Sequence, residues 1–232
     1  MRIISGIKRG MTILPPKGDK TRPITDRIKE SIFDVLYKYN LIEDRLVADL
    51  FCGTGSFGLE ALSRGAKEAV FVDTDRKAIE ILRKNIEKTG FTAQSRVVCA
   101  NAFKVGAPTG AGQKCSLIFV DPPYEMSKQT DKKSRLAELL DFLPVQLADD
   151  GLVVVRTEKK INPVRDKVSK IPDSRHKRPV SNGVNLLDSY GSLKIIDRRV
   201  WSSMAVAFLA LRKDDQQTGS NTDNSQTPQV GL

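Results

Sequence analysis

Histidine, tryptophan and cysteine are nearly missing from this 232-residue chain, which holds 1 His, 1 Trp and 3 Cys. Cys52, Cys99 and Cys115 are odd in number and far apart in sequence. That excludes a disulfide framework and the ligand spacing of a zinc cluster, and it points to a reducing compartment. His176 has no second histidine with which to form a metal site or a relay, so no metal is expected. Long apolar runs are missing too. The longest, Met204 to Leu211, has 8 residues, against the ~20 that a membrane helix needs. Met1 to Gly6 opens no signal-peptide pattern. A soluble, cytoplasmic protein is expected. With 16 Gly and 11 Pro, collagen-like and low-complexity classes fail, and 40% hydrophobic residues suffice for one sizeable core.

Lys and Arg exceed Asp and Glu by 38 to 28, a net charge of +10. Residues 46–155 are balanced, with 14 of each sign, whereas residues 1–45 carry 10 basic against 6 acidic and residues 156–200 carry 12 against 5. A neutral centre between basic flanks favours an anionic partner such as nucleic acid. A solvated basic face is the plain alternative.

Arg2 to Lys8 and Met11 to Leu14 flank Arg9-Gly10 and predict a β-hairpin. Thr25 is placed as the N-cap of a helix with Ile28, Ile32, Val35, Leu36 and Tyr39 at helical spacing. Short apolar runs then alternate with helical segments: strands at 46–51, 69–72, 96–100, 116–120 and 151–155, and helices ending at Arg64, at Lys88 and over 136–147. This is the signature of βαβ units and a parallel sheet covered on both faces. Residues 158–188 are rich in Lys, Arg, Pro, Ser and Asn without period and read as an excursion. Runs at 193–197 and 205–209 return as an antiparallel edge pair. From Asp214 the chain has the composition of a disordered tail.

Ligands of open α/β sheets bind beyond the carboxyl ends of the strands. Four patches fall there: Asp49 to Gly58, Asp73, Asn101-Ala102-Phe103, and Asp121-Pro122-Pro123-Tyr124. Gly53, Gly55 and Gly58 form G-x-G-x-x-G between a strand and a helix, and Asp73 follows Gly53 by 20 residues, a spacing suited to two ribose hydroxyls. Asp49 would repel a pyrophosphate and attract a cation. S-adenosylmethionine, with an ammonium, a sulfonium and no phosphate, therefore fits better than NAD. Asp49 could instead bond a turn, and Asn101 could either meet an adenine edge or cap a turn. The Asp-Pro-Pro-Tyr patch suits methyl transfer to an exocyclic amine. Asp121 and the Pro122 carbonyl would accept from the NH₂ and draw its lone pair out of the ring, while Tyr124 would stack on an extruded base. Asp121 would then stabilise the cationic nitrogen or take its proton.

Asp49-x-Phe51-x-Gly53-x-Gly55, Asp73 and Asp121 to Tyr124 resemble class I S-adenosylmethionine-dependent methyltransferases acting on exocyclic amines. Arg2 to Gly6, Arg9-Gly10, Thr21 to Phe33 and Gly58 to Ala66 resemble, more narrowly, the RsmD family of bacterial 16S rRNA (guanine-N2-)-methyltransferases. The resemblance implies a Rossmann-like fold, a mostly parallel seven-stranded sheet flanked by helices with an N-terminal β-hairpin extension. It implies one methyltransferase domain over 1–213, with an extension at 1–45, a basic insertion at 159–192 and a disordered tail at 214–232. It further implies S-adenosylmethionine held by Asp49, Phe51, Gly53, Gly55, Asp73, Asn101, Ala102 and Asp121, with Asp121, Pro122 and Tyr124 catalytic. Arg22, Thr25, Arg27, Pro123 and Tyr124 would meet the substrate, a guanine of ribosomal RNA within a small-subunit assembly particle. The insertion departs from the family pattern. The motif alone also suits a DNA adenine-N6 or cytosine-N4 methyltransferase, and the basic flanks alone suit a non-catalytic RNA-binding assembly factor.

Overall fold

Apolar residues on both sides of a short strand require cover on both faces, and the chain supplies it by alternating strands with helices. The computed structural model describes residues 1–16, 24–127, 130–158, 186–201 and 204–212. After α1 (Asp26–Tyr37) come β1 (Leu46–Leu50), α2 (Ser56–Ser63), β2 (Glu68–Asp73), α3 (Arg76–Thr89), β3 (Ser95–Cys99), α4 (Ala102–Val105), β4 (Cys115–Val120), α5 (Tyr124–Ser127), α6 (Arg135–Phe142), β5 (Leu147–Glu158), β6 (Ser189–Tyr190), β7 (Leu193–Trp201) and β8 (Met204–Leu211). The sheet order is β3-β2-β1-β4-β5-β8-β7-β6. The first five strands are parallel, and β8, β7 and β6 join antiparallel.

The strand period of two divides the core. Val47, Phe71, Leu117, Phe119 and Val154 face α1, α2 and α3. Ala48, Leu50, Val72, Ile118, Val120 and Val155 face α4 and α6. Strand order reverses between β1 and β4, so their carboxyl ends open on the crevice where such folds bind ligands. Helix α3 begins at Asp75, whose carboxylate accepts from Lys77 N–H, and ends at Gly90 with φ 74°. Pro144 stops α6, so the helix expected over 136–147 ends at Phe142 and a 3₁₀ turn, Leu143–Gln146, finishes it.

Three features differ from expectation. The sheet has eight strands rather than seven, because the two-residue β6 adds to the edge of β7. The N-terminal hairpin is reduced to one bridge, Arg2↔Thr12, beside a few backbone bonds such as Gly10 N–H to Ile3 C=O at 2.9 Å. Its outward backbone groups find side chains of α2 and α3 instead of a ladder. Glu60 accepts from Ile4 N–H (2.7 Å) and Ser5 N–H (3.0 Å), Ser63 Oγ accepts from Lys8 N–H, and Asn85 both accepts from Leu14 N–H and donates to Leu14 C=O. Gly6 lies so close to α2 that a Cβ would stand 1.7 Å from Ser63 O. Thr25 occupies the N-cap of α1, but its side chain makes no cap bond.

Of the basic stretch expected over 159–192, residues 159–185 lie outside the described residues. Leu186 and Tyr190 are buried, and the Tyr190 hydroxyl donates to Thr130 C=O at 2.8 Å. The expected tail at 214–232 also lies outside the described residues.

Candidate active site

The loop after β1 turns back sharply. Phe51, Gly53 and Gly55 all have positive φ, 58°, 54° and 90°, and glycine takes this conformation without steric cost. At Gly58 a Cβ would meet the Phe71 ring at 2.3 Å, so the third glycine lets α2 settle on β2. Two carboxylates hold the turn. Asp73, at the end of β2, accepts from Gly53 N–H at 2.7 Å and from Asp75 N–H at 2.9 Å. Asp49, at 1% exposure, accepts from Gly58 N–H at 2.9 Å through Oδ2. Its Oδ1 is buried without a hydrogen-bond partner.

Burial pushes the Asp49 carboxyl well above its ordinary range. The Gly58 N–H and, more weakly, the Phe57 N–H oppose the shift, and the negative charges of Asp121 and Asp73 add to it. An orphan carboxylate oxygen among acidic neighbours is a receptor for a cation, and this is the observation by which the rim fits the ammonium of S-adenosylmethionine. The raised folded-state value means that the native protein binds the proton more tightly than the unfolded chain does. Stability of the cofactor-free protein therefore falls as pH rises from near 3.8 through the raised value. Asp49→Asn is expected to remove that slope and raise the melting temperature of the cofactor-free protein at neutral pH, while weakening S-adenosylmethionine binding. Thermal scans across pH with parallel calorimetric titrations check both halves. A lower melting temperature at neutral pH would contradict the orphan-charge reading.

Phe51 and Phe103 meet edge to face at 4.9 Å, and the Arg135 guanidinium lies 4.4 Å above the Phe103 ring. Between them and Asp73, Asn101 caps α4 by accepting from Phe103 N–H, and Ala102 is buried. At the end of β4, Asp121 N–H donates to Leu50 C=O at 3.3 Å and ties this corner to β1. The Pro123 carbonyl is occupied by Met126 and Ser127 N–H, whereas the Pro122 carbonyl accepts no backbone donor among the described residues. A small, shallow cleft lies among Asp121, Pro122, Ser127, Arg156, Thr157 and Glu158. Arg156 Nε donates to Asp121 Oδ1 at 2.5 Å.

Residues 1–186 match the family described as conserved hypothetical protein 95. The chain is 36% identical over 160 residues to ribosomal RNA small subunit methyltransferase D of Escherichia coli, covering 68% of this chain and 75% of that protein. The protein of the same name from Haemophilus influenzae is 31% identical over 160 residues, 68% of this chain and 79% of its own length. The solved structure of a hypothetical protein of Thermus thermophilus superposes with a TM-score of 0.63 at 25% identity, over 91% of this chain and 99% of the other. The chain belongs to the RsmD family. Its fold is that of the class I methyltransferases.

The RsmD-family chain brings Asp49, Phe51, Gly53, Gly55, Asp73, Asn101, Ala102, Asp121 and Pro122 to one rim, at the ends of β1 to β4. Pro123 is exposed beside them. Tyr124 opens α5, and only its backbone is described. Thr25 and Arg27 are exposed at the start of α1. That end reaches the rim, because Lys29 Nζ lies 3.5 Å from Ser56 Oγ. Arg22 lies outside the described residues. Cys52 in the glycine loop is buried, and burial raises its thiol well above the ordinary range, which suits packing rather than nucleophilic work.

Arg156 and the Phe103–Arg135 stack were missed by the sequence reading. Arg156 stands one residue beyond Val155, which pairs with Val120 just before Asp121. Applying the strand-end rule to β5 as well as to β1 to β4 would have singled it out.

Proposed function

We propose that this protein transfers a methyl group from S-adenosylmethionine to the exocyclic N2 of a guanine in 16S ribosomal RNA, presented within a small-subunit assembly particle in the cytoplasm. The observation that carries the reading is the pair of acceptors at the end of β4, the Asp121 carboxylate and the Pro122 carbonyl, which meets no backbone donor among the described residues, on the rim that also holds the orphan Asp49 oxygen. The names of the relatives, small-subunit rRNA methyltransferases, support the substrate.

Asp49 would receive the ammonium, Asp73 the ribose hydroxyls through its remaining lone pairs, and Asn101 with Ala102 the adenine edge, beside the Phe51–Phe103 pair. When bound, the sulfonium supplies an electrophilic methyl carbon and leaves as a neutral thioether, so activation by a metal is not required. Asp121 and the Pro122 carbonyl each accept one N2–H. This localises the nitrogen lone pair and aims it out of the ring plane. The lone pair forms the N–C bond as the C–S bond breaks, and the now cationic nitrogen gives a proton to Asp121, which releases it to water. Tyr124 and Pro123 would contact the extruded base, and Arg22, Thr25 and Arg27 would approach its backbone from α1.

Purified protein is to be incubated with labelled S-adenosylmethionine and small-subunit particles from cells lacking the gene, and the nucleosides separated by mass spectrometry. N2-methylguanine in 16S rRNA is expected. Methyl transfer to DNA amines, or intact cofactor binding with no N2-methylguanine, would overturn the proposal. In the same assay Asp73→Ala is expected to raise the dissociation constant of S-adenosylmethionine about ten- to a hundredfold, since hydrogen bonds to a charged group contribute ~1.5–3 kcal/mol. The turnover at saturating cofactor should stay within about threefold of the parent.

A further inference from the structure

We propose that Arg156 is a positioning residue for methyl transfer: it holds Asp121 as an anion, with one carboxylate oxygen spoken for and the other turned to the base. The proposal rests on the reading of Asp121 as the acceptor for the guanine amine.

The geometry comes from the sheet. Parallel pairing of Val120 with Val155 sets Asp121, one residue past β4, beside Arg156 of β5. Both side chains are largely withdrawn from water, 19% and 14% exposed. Arg156 Nε engages Oδ1 alone, and no other bond to the Asp121 carboxylate is made among the described residues. Oδ2 therefore remains for the substrate. Arg156 is itself fixed on a backbone held by β8, with Val206 opposite it, one residue past the last β4–β5 pair. Its Nη1 is buried without a partner. A buried guanidinium N–H left unpaired is costly, and Arg156 lines the same cleft as Asp121.

Chemistry requires the charge state. Burial favours the neutral carboxyl at Asp121, and the neighbouring Arg156 cation opposes it. A protonated Asp121 would donate its O–H to the amine lone pair, which is the pair that must attack. The anion accepts from N–H through either oxygen and more strongly than the neutral carboxyl, and only the anion can take the proton afterwards. Charged groups from the packed elements around Asp121 include acids: Asp49 at the end of β1, Asp73 at the end of β2, Glu158 on β5, and Glu125, exposed on α5. With burial and these neighbours, the Asp121 carboxyl still lies above its ordinary range, and Arg156 is the group that pulls it back down. Arg156 is the cation lining the cleft among the described residues.

The test is the pH profile of single-turnover methylation on small-subunit particles, for the parent and for Arg156→Met and Arg156→Lys. In Arg156→Met the acidic limb is expected to move up by about 1–3 pH units, the shift that an adjacent arginine typically imposes on an aspartate. The rate at the parent's midpoint should fall about five- to five-hundredfold across that range of shifts and recover toward the parent's at high pH. Arg156→Lys keeps the charge and should hold the limb near the parent's position. Calorimetric binding of S-adenosylmethionine should be retained in both. Should Arg156→Met fail to fold, a ¹³C-carboxyl NMR titration of Asp121 in the parent and in Arg156→Lys replaces it, with a midpoint below neutrality expected in both. An unmoved limb in Arg156→Met, a uniform loss at every pH, or an Asp121 carboxyl titrating above neutrality in the parent would overturn the proposal. Failure of the parent to form N2-methylguanine would instead overturn the reading on which the proposal rests, and that is seen before any variant is compared.

Discussion

Asp121→Ala is expected to lower single-turnover methylation by about 10²–10⁴-fold, the range for a positioned general base, while the affinity for S-adenosylmethionine changes little. The effect is large because one carboxylate does two things in sequence. It withdraws the guanine amine from conjugation by accepting its N–H, and it takes the proton once the nitrogen becomes cationic. The Pro122 carbonyl can share the first duty but not the second, since an amide oxygen is too weak a base. Removing the carboxylate also leaves Arg156 facing the cleft without its counter-ion, and a cation there repels the charge that develops on nitrogen. Asp121→Asn separates these effects. It preserves shape and one acceptor but removes basicity, and it should stay close to Asp121→Ala in rate. Quenched-flow assays with saturating particles, together with titration calorimetry, check the division. A loss carried by cofactor affinity would place Asp121 in the cofactor site alone.

Glu60→Ala is expected to destabilise the fold by about 3–5 kcal/mol, the cost of breaking a buried ion pair by removing one partner. Glu60 is fully buried in α2 and receives Ile4 and Ser5 N–H, Lys29 Nζ at 3.3 Å and Arg64 Nε at 2.8 Å. Lys29 is 1% exposed, and burial lowers its pKa against the pull of Glu60. Without Glu60, Lys29 must give up its proton or drag water inward, and two backbone N–H groups of the head lose their acceptor. The damage should extend beyond local contacts, because α2, α1 and residues 1–14 are clasped together at this point. Urea denaturation followed by circular dichroism measures it. The double variant Glu60→Leu with Lys29→Met should recover part of the loss, since two apolar side chains leave no charge stranded. A double variant no more stable than Glu60→Ala would show that the backbone N–H bonds, rather than the ion pair, dominate.

The buried carboxylate illustrates how far the primary structure could be read. Glu60 lies in the stretch Gly58 to Ala66 that carries the family resemblance, yet its partners stand 55 and 56 residues earlier in the chain. No local pattern pairs a helix residue with distant backbone N–H groups. The same holds for Asn85, which binds Leu14 and also donates to Thr54 C=O in the glycine loop. The expected hairpin was half right for this reason. The turn about Arg9-Gly10 was legible, and the Ile3 and Ile13 N–H groups bond across it to Met11 and Met1 C=O, but the side chains of α2 and α3 that hold its outward backbone groups were not. The strand ends were legible, since apolar runs and glycines mark them by local chemistry. Asp49 was legible as an acid near the rim, whereas the state of its two oxygens, one bonded to Gly58 and one unpartnered, follows from packing.

Hydrophobic periodicity, turn chemistry and the order of segments determined the alternation of strands and helices, the parallel sheet and the motif residues at its rim, because each depends on neighbours within a few residues. Tertiary structure alone decided which of those residues meet. Sheet register set Arg156 against Asp121, the crossover between β1 and β4 opened the crevice, and burial left one oxygen of Asp49 without a partner. Contacts between segments far apart in the chain, and the loss of water around them, are properties of the assembled sheet rather than of any stretch that composes it.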